Sequence, residues 1–167
     1  INNICIKFIN KVIFINHIHM HNTVKNLLEI KDNIKIQLNK LNINNNPKIV
    51  AVSKTFKIDK ILPLIEYGHY DYGENKVQEA VEKWTEIKKK YPKIRLHMVG
   101  KLQTNKVKFA VKIFDYIHSV DSEKLARKIV DEQNKINKKI KVFLQVNIGD
   151  ENQKSGIDKN EVAQLVS

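Results

Sequence analysis

From residue 20 to about residue 41, apolar side chains fall at Val24, Leu27, Leu28, Ile34 and Leu38. That three-and-four spacing predicts an amphipathic helix. The polar run "NINNNP" (residues 42–47) breaks it. A regular alternation follows. "KIVAVSK" reads as a strand, and Ile58, Ile61, Leu62 and Ile65 give helical spacing up to Gly68. Pro63 fits that helix only if the helix starts just before it. "YDYGE" is a second strand, and Val77, Ala80, Val81, Trp84 and Ile87 mark a helix closed by Pro92. "IRLHMVG" is a third strand, followed by a helix carrying Val107, Ala110 and Val111. "YIHSV" is a fourth, with a helix through Leu125, Ala126 and Ile129. "KVFLQVNI" is the fifth, and "DKNEVAQLVS" begins one more helix.

Strand then helix, five times over, predicts a parallel sheet with helices outside it. Such a repeat closes either as an open doubly wound sheet or as a (β/α)8 barrel. A dinucleotide-binding sheet carries G-x-G-x-x-G after its first strand. Here that turn is "SKTFKID", with no glycine, and no GxxxxGK[ST] occurs. The expected fold is therefore α/β, a partial TIM-type barrel with about five of the eight β/α units, preceded by an N-terminal helix. Residues 20–167 are expected to be the N-terminal part of one barrel domain. The first residue is Ile1, and Met20 opens the helical pattern, so residues 1–19 are expected to be an extension with little structure of its own. Lys7 and Lys11 interrupt its apolar run and no small-residue cleavage site follows, which argues against a signal peptide.

Composition changes this picture little. With 42% hydrophobic and 29% charged residues, the chain reads as a soluble globular protein. A net charge of +12 raises nucleic acid as a partner. However, Arg95 and Arg127 are the only arginines among 30 basic residues. Arginine is the usual residue for bidentate phosphate and base contacts, so the charge reads as compositional bias and not as a built nucleic-acid face. The single Cys5 excludes an intrachain disulfide and fits a reducing compartment, with a cytoplasmic location expected. No apolar run of 18 residues predicts a membrane span. His17, His19 and His21 do not have a spacing that converges ligands on one helix face, so no metal is expected there.

The chemistry lies at the strand ends, where barrels build their sites. The first strand ends on Lys54, the second on Gly73, Glu74 and Asn75, and the third on "GKLQTNK". The fourth ends on Ser119 and Asp121, the fifth on Asn147 and then "DENQKSG". Each loop alone could be ordinary polar surface. An amine closing an apolar strand has two readings. It snorkels to water, or partial burial keeps it unprotonated so that it attacks an aldehyde. The second gives a Schiff base, the usual way proteins hold pyridoxal phosphate.

The blocks "AVSKT" (51–55), "YGENKVQEA" (72–80), "LHMVGKLQTNK" (96–106) and "DENQKSGI" (150–157) resemble the YggS/PROSC type of pyridoxal-phosphate-binding protein, the pyridoxal phosphate homeostasis family. "HSVDS" (118–122) and "QVNI" (145–148) match as well, in order, from about residue 20 to the end. The resemblance implies a single barrel like the N-terminal domain of alanine racemases. It implies Lys54 as the Schiff-base lysine and Asn75 as a polar residue beside the cofactor. It places His97, Gln103 and Asn105 at the barrel mouth, although His97 could equally be a satisfied strand histidine. Lys154 corresponds to a second family lysine near the opening. The implied function is non-catalytic binding that keeps free pyridoxal phosphate low, buffering it or transferring it to enzymes that depend on it.

Full-length members continue into late strands whose glycine- and Ser/Thr-rich loops hold the phosphate, and this chain ends at Ser167. The 167-residue chain is therefore expected to bind the cofactor weakly or not at all, and to be poorly stable with an open sheet edge. A racemase- or decarboxylase-like barrel using the same lysine is the alternative, and a basic nucleic-acid-binding module is a more distant one. A racemase needs a second acid/base group across the cofactor, usually from another domain.

Overall fold

The Ile- and Val-rich runs that open the chain form two strands, β1 (Asn3–Ile9) and β2 (Val12–Ile18), paired antiparallel from Asn3 opposite Ile18 to Ile9 opposite Val12. The computed structural model describes residues 3–9, 12–18, 20–148, 156–160 and 162–163. Where little structure was expected in residues 1–19, β-branched content has won: such residues favour the extended backbone. Helix α1 (Asn22–Lys40) follows, its first turn capped by His21, whose ring accepts from the Thr23 backbone N–H. Helix α2 (Ile58–Tyr67) contains Pro63 at its sixth position, so it starts five residues earlier than the proline rule suggested. Gly68, with φ of 99°, ends it in the left-handed conformation that glycine adopts without strain. Residues 1–47 and 59–69 make one compact unit, and residues 48–58 and 70–167 make another.

The second unit carries the parallel sheet. Its strands are β3 (Ala51–Val52), β4 (Asp71–Glu74), β5 (Arg95–Met98), β6 (Tyr116–Val120) and β7 (Lys141–Leu144). They lie side by side in sequence order, all parallel. Helices α3 (Val77–Lys90), α4 (Val107–Ile113) and α5 (Glu123–Lys135) connect the last four. A doubly wound sheet reverses its strand order at a switch point. Here the order never reverses, so the sheet is a partial β/α barrel. The expected fifth strand is broken. Gln145 donates its N–H to the Val120 carbonyl at 2.8 Å and accepts from the Ile157 N–H at 2.7 Å. Beyond it, β8 (Val146–Asn147) pairs with β9 (Ile157–Asp158) instead of extending β7.

Side chains alternate across a strand, so the sheet has two unlike faces. On one, Tyr72, Leu96, Met98 and Ile117 are buried, as are Ala80 and Trp84 of α3, Val107 and Val111 of α4, and Leu125 and Ile129 of α5. Tyr72 packs its ring on Trp84 with centroids 4.9 Å apart, which fixes this as the helix-covered face. The other face carries Asp71, Gly73, Arg95, His97, Tyr116 and His118. No helix among the described residues is long and apolar enough to cross a membrane.

Candidate functional site

The ladder of β3 runs one residue past the strand, because the Ser53 N–H donates to the Gly73 carbonyl at 2.9 Å. The chain then turns. Lys54 and Thr55 form the turn, which closes where the Phe56 N–H donates to the Ser53 carbonyl at 3.2 Å. Thr55 has φ of 68°. A β-branched residue in that region is strained by about 1–3 kcal/mol and persists only where neighbours hold it. Lys54 is exposed. The partial burial expected of it is corrected: β3 stops at Val52, so Lys54 already stands on the turn, clear of the sheet.

Beneath this turn lies a buried charge. Glu74 ends β4 on the helix-covered face and is fully buried. Its Oε1 accepts from Ser53 Oγ at 2.8 Å, from Lys83 Nζ at 2.9 Å and from Trp84 Nε1 at 2.9 Å. Lys83 Nζ donates a second bond, to the Ser53 carbonyl, at 2.8 Å. Oε2 is buried and has no hydrogen-bond partner among the described residues, so the three bonds to Oε1 hold the charge in place. Removing one partner of such a buried pair costs on the order of 3–5 kcal/mol, because the other charge is left uncompensated. In the sequence Glu74 stands within "GEN" with no role evident, and nothing marks Lys83. A carboxylate closing a buried strand was the available signal.

Asn75 follows Glu74 and is half-buried. Gly100 lies against it: a Cβ at Gly100 would stand 2.4 Å from the Asn75 carbonyl oxygen and 2.8 Å from its Cα. Only a residue without a side chain lets the loops after β4 and β5 approach this closely. Asn75, Gln78, Met98, Lys101, Gln103 and Lys106 line a cavity of about 400 Å³, large enough for a small ligand. Lys54 is not among its lining residues. Asn105 is exposed on the short 3-10 turn Thr104–Lys106. Ser119 is buried and donates to the Gly100 carbonyl at 2.7 Å, a structural task. Asp121 lies 3.8 Å from Lys101, and Asn147 sits in β8. Lys154 falls outside the described residues. The half-buried Asn75 and the lysine-rimmed cavity suit a small anionic ligand.

His97 lies on the opposite face from Glu74, and both its ring nitrogens are engaged. Arg95 grips Asp71 through Nε to Oδ1 at 2.7 Å and Nη2 to Oδ2 at 2.5 Å. His97 Nε2 donates to Asp71 Oδ1 at 3.2 Å, which leaves Nδ1 to accept from His118 Nε2 at 2.9 Å. This donor order follows from the network, since a carboxylate only accepts. His97 stacks on Tyr116 with centroids 4.3 Å apart, His118 stacks on Phe143 at 4.5 Å, and Lys141 Nζ lies over the Tyr116 ring. Burial pushes the His97 imidazole below the usual histidine range, partly opposed by Asp71. His118 is lowered too, first by burial and then by His97. Burial alone would raise the Asp71 carboxyl, but its bonds to Arg95 and His97 outweigh that and hold it below the usual carboxylate range.

Two outcomes follow from this geometry. Gly100→Ala drives a methyl into the Asn75 backbone, so it should cost about 1–3 kcal/mol in urea unfolding, read by the fluorescence of Trp84, the single tryptophan. A variant as stable as the parent would contradict the close approach. In the fold burial makes the histidine pair harder to protonate, whereas in the unfolded chain each histidine titrates near its ordinary value of about 6.5. Below that pH the unfolded chain takes up protons that the fold resists, so stability is complete above it and falls as the pH drops. Replacing His118 with Gln should flatten that loss between neutral and mildly acid pH. An unchanged slope would show that the pair does not carry it.

Residues 26–167 match the family described as alanine racemase, N-terminal domain. The chain is 34% identical over 142 residues to the pyridoxal phosphate homeostasis protein of Pasteurella multocida, covering 84% of this chain and 61% of that protein. It is 39% identical over 142 residues to the protein of the same name from Buchnera aphidicola subsp. Schizaphis graminum, covering 83% and 60%. The chain thus spans about three fifths of the length of these relatives. PipY of Synechococcus elongatus PCC7942, solved with PLP bound, matches with a TM-score of 0.64 at 35% identity, over 79% of this chain and 63% of that one. Alanine racemase of Clostridium difficile 630 shares the fold alone, with a TM-score of 0.57 at 17% identity, over 80% of this chain and 36% of the racemase. With the match over residues 26–167 and a parallel β/α sheet whose strands lie in sequence order, the chain belongs to the alanine racemase N-terminal domain family.

Proposed function

We propose that the protein binds pyridoxal 5'-phosphate through Lys54 and acts as a non-catalytic carrier in the homeostasis of that cofactor. The observation that carries the reading is the exposed Lys54 amine on a strained, anchored turn directly after β3. Lys54 would hold the aldehyde covalently: its amine nitrogen would form a C=N bond to the aldehyde carbon, and the carbonyl oxygen would leave as water with the two amine protons. Asn75 and the cavity rimmed by Lys101 and Lys106 supply an amide and cationic donors for the rest of an anionic ligand. A PLP-bound structure of a 35%-identical relative supports the choice of aldehyde. His97 is committed on both nitrogens to Asp71 and His118, so in this reading it shapes the inner face and is not a free acid or base. That favours holding the aldehyde over turning a substrate over. Delivery to enzymes that use the cofactor, in a cytoplasmic setting, completes the proposal.

Titration with pyridoxal phosphate, followed by visible absorption, tests it. A chain extended to the length of its relatives should form a saturable adduct, and in it Lys54→Ala should weaken the saturable component at least about tenfold. Lys139→Ala, which alters an exposed lysine elsewhere, should leave it unchanged. Equal binding by Lys54→Ala would overturn the assignment.

A further inference from the structure

We propose that Glu74 and Lys83 are positioning residues for Lys54: from the helix-covered side of the sheet they fix the peptide plane that carries the lysine, and so aim its amine. The inference rests on the reading of Lys54 as the aldehyde-binding residue. The Ser53 carbonyl and the Lys54 N–H belong to one planar peptide unit. That carbonyl accepts from Lys83 Nζ at 2.8 Å and from the Phe56 N–H at 3.2 Å. The Ser53 hydroxyl donates to Glu74 Oε1 at 2.8 Å, and its N–H donates to Gly73. Every polar group of Ser53 is therefore held, and the residue is buried.

The exposed Lys54 follows immediately, so little backbone freedom separates the clamp from the amine. β3 lies at the edge of the sheet with β4 as its neighbour, and its ladder is ending at this point. The Lys83 ammonium takes the place of a strand partner for the carbonyl. The cost of bringing a lysine in is evident: the Lys83 side chain is only 14% exposed, and lysine is almost never buried unless paired. Glu74 supplies the pair. The same anchors account for Thr55 holding its left-handed φ. An amine on a floppy exposed turn would have to be ordered each time it met an aldehyde, and the clamp removes that requirement.

The test is the double variant Glu74→Gln/Lys83→Met in the full chain. Gln keeps an oxygen for Ser53 and Trp84, Met keeps the apolar stem, and no buried charge is left unpaired. Lysines are dimethylated with 13C-formaldehyde and cyanoborohydride, and the Lys54 resonance is assigned by its loss in Lys54→Arg. The resonance should shift or broaden in the double variant. Borohydride trapping of pyridoxal phosphate at Lys54, relative to Lys139, should slow about tenfold or more, with circular dichroism unchanged. Lys83→Arg alone, which can still reach both acceptors, should restore both signals.

A folded double variant with the parent's resonance and trapping rate would overturn the proposal. If the double variant unfolds, Ser53→Ala takes its place, and an unmoved Lys54 resonance there overturns the proposal equally. If the parent protein is never trapped at Lys54, the aldehyde reading fails separately. The resonance then decides the clamp: moved supports it, unmoved sinks it.

Discussion

Three donors converge on one buried oxygen, Oε1 of Glu74, and the candidate site is organised around that point. A carboxylate is buried only when paired and hydrogen-bonded, so Ser53, Lys83 and Trp84 have to be where they are once Glu74 ends β4. That requirement ties the end of β3, the end of β4 and helix α3 into one piece. The outer face thus does more than bury apolar surface. It sets the height at which the lysine-bearing turn leaves the sheet.

The inner face follows a different logic. Asp71, Arg95, His97 and His118 satisfy one another in a continuous chain, with Tyr116 and Phe143 stacked against the two imidazoles. These contacts hold both imidazoles in fixed orientations on that face. β4 contributes to both systems at once, Asp71 to the inner network and Glu74 to the outer hub, because alternate residues of a strand point opposite ways. Gly73 between them leaves less than van der Waals room for a side chain, since a Cβ there would stand 3.3 Å from Val52 Cγ2.

The sequence made much of the fold legible, because the alternation of periods names strands and helices and the missing glycine motif excludes a dinucleotide-binding sheet. The strand-end positions of Lys54, Asn75 and Gln103 were also readable. The burial of Lys54 was misjudged, since pattern alone does not say that β3 stops at Val52. The break at Gln145 was invisible because it depends on pairing with Ile157, twelve residues on. Lys83 was missed because on a helix rich in charge nothing in its spacing separates it from solvated neighbours such as Lys89. Its role appears only once Ser53 and Glu74 are seen beneath the turn. Asp71, Arg95 and His118 were hidden for the same reason, being far apart in sequence and joined only by register.

The central claim is that Lys54, among many surface lysines, is the one presented to an aldehyde. It is tested most directly by mixing the protein with less than one equivalent of pyridoxal phosphate, reducing with borohydride, and mapping the labelled peptides. The account expects the label to concentrate on the peptide containing Lys54. Label spread over the exposed lysines in proportion to their accessibility, or gathered on a different lysine, would contradict it.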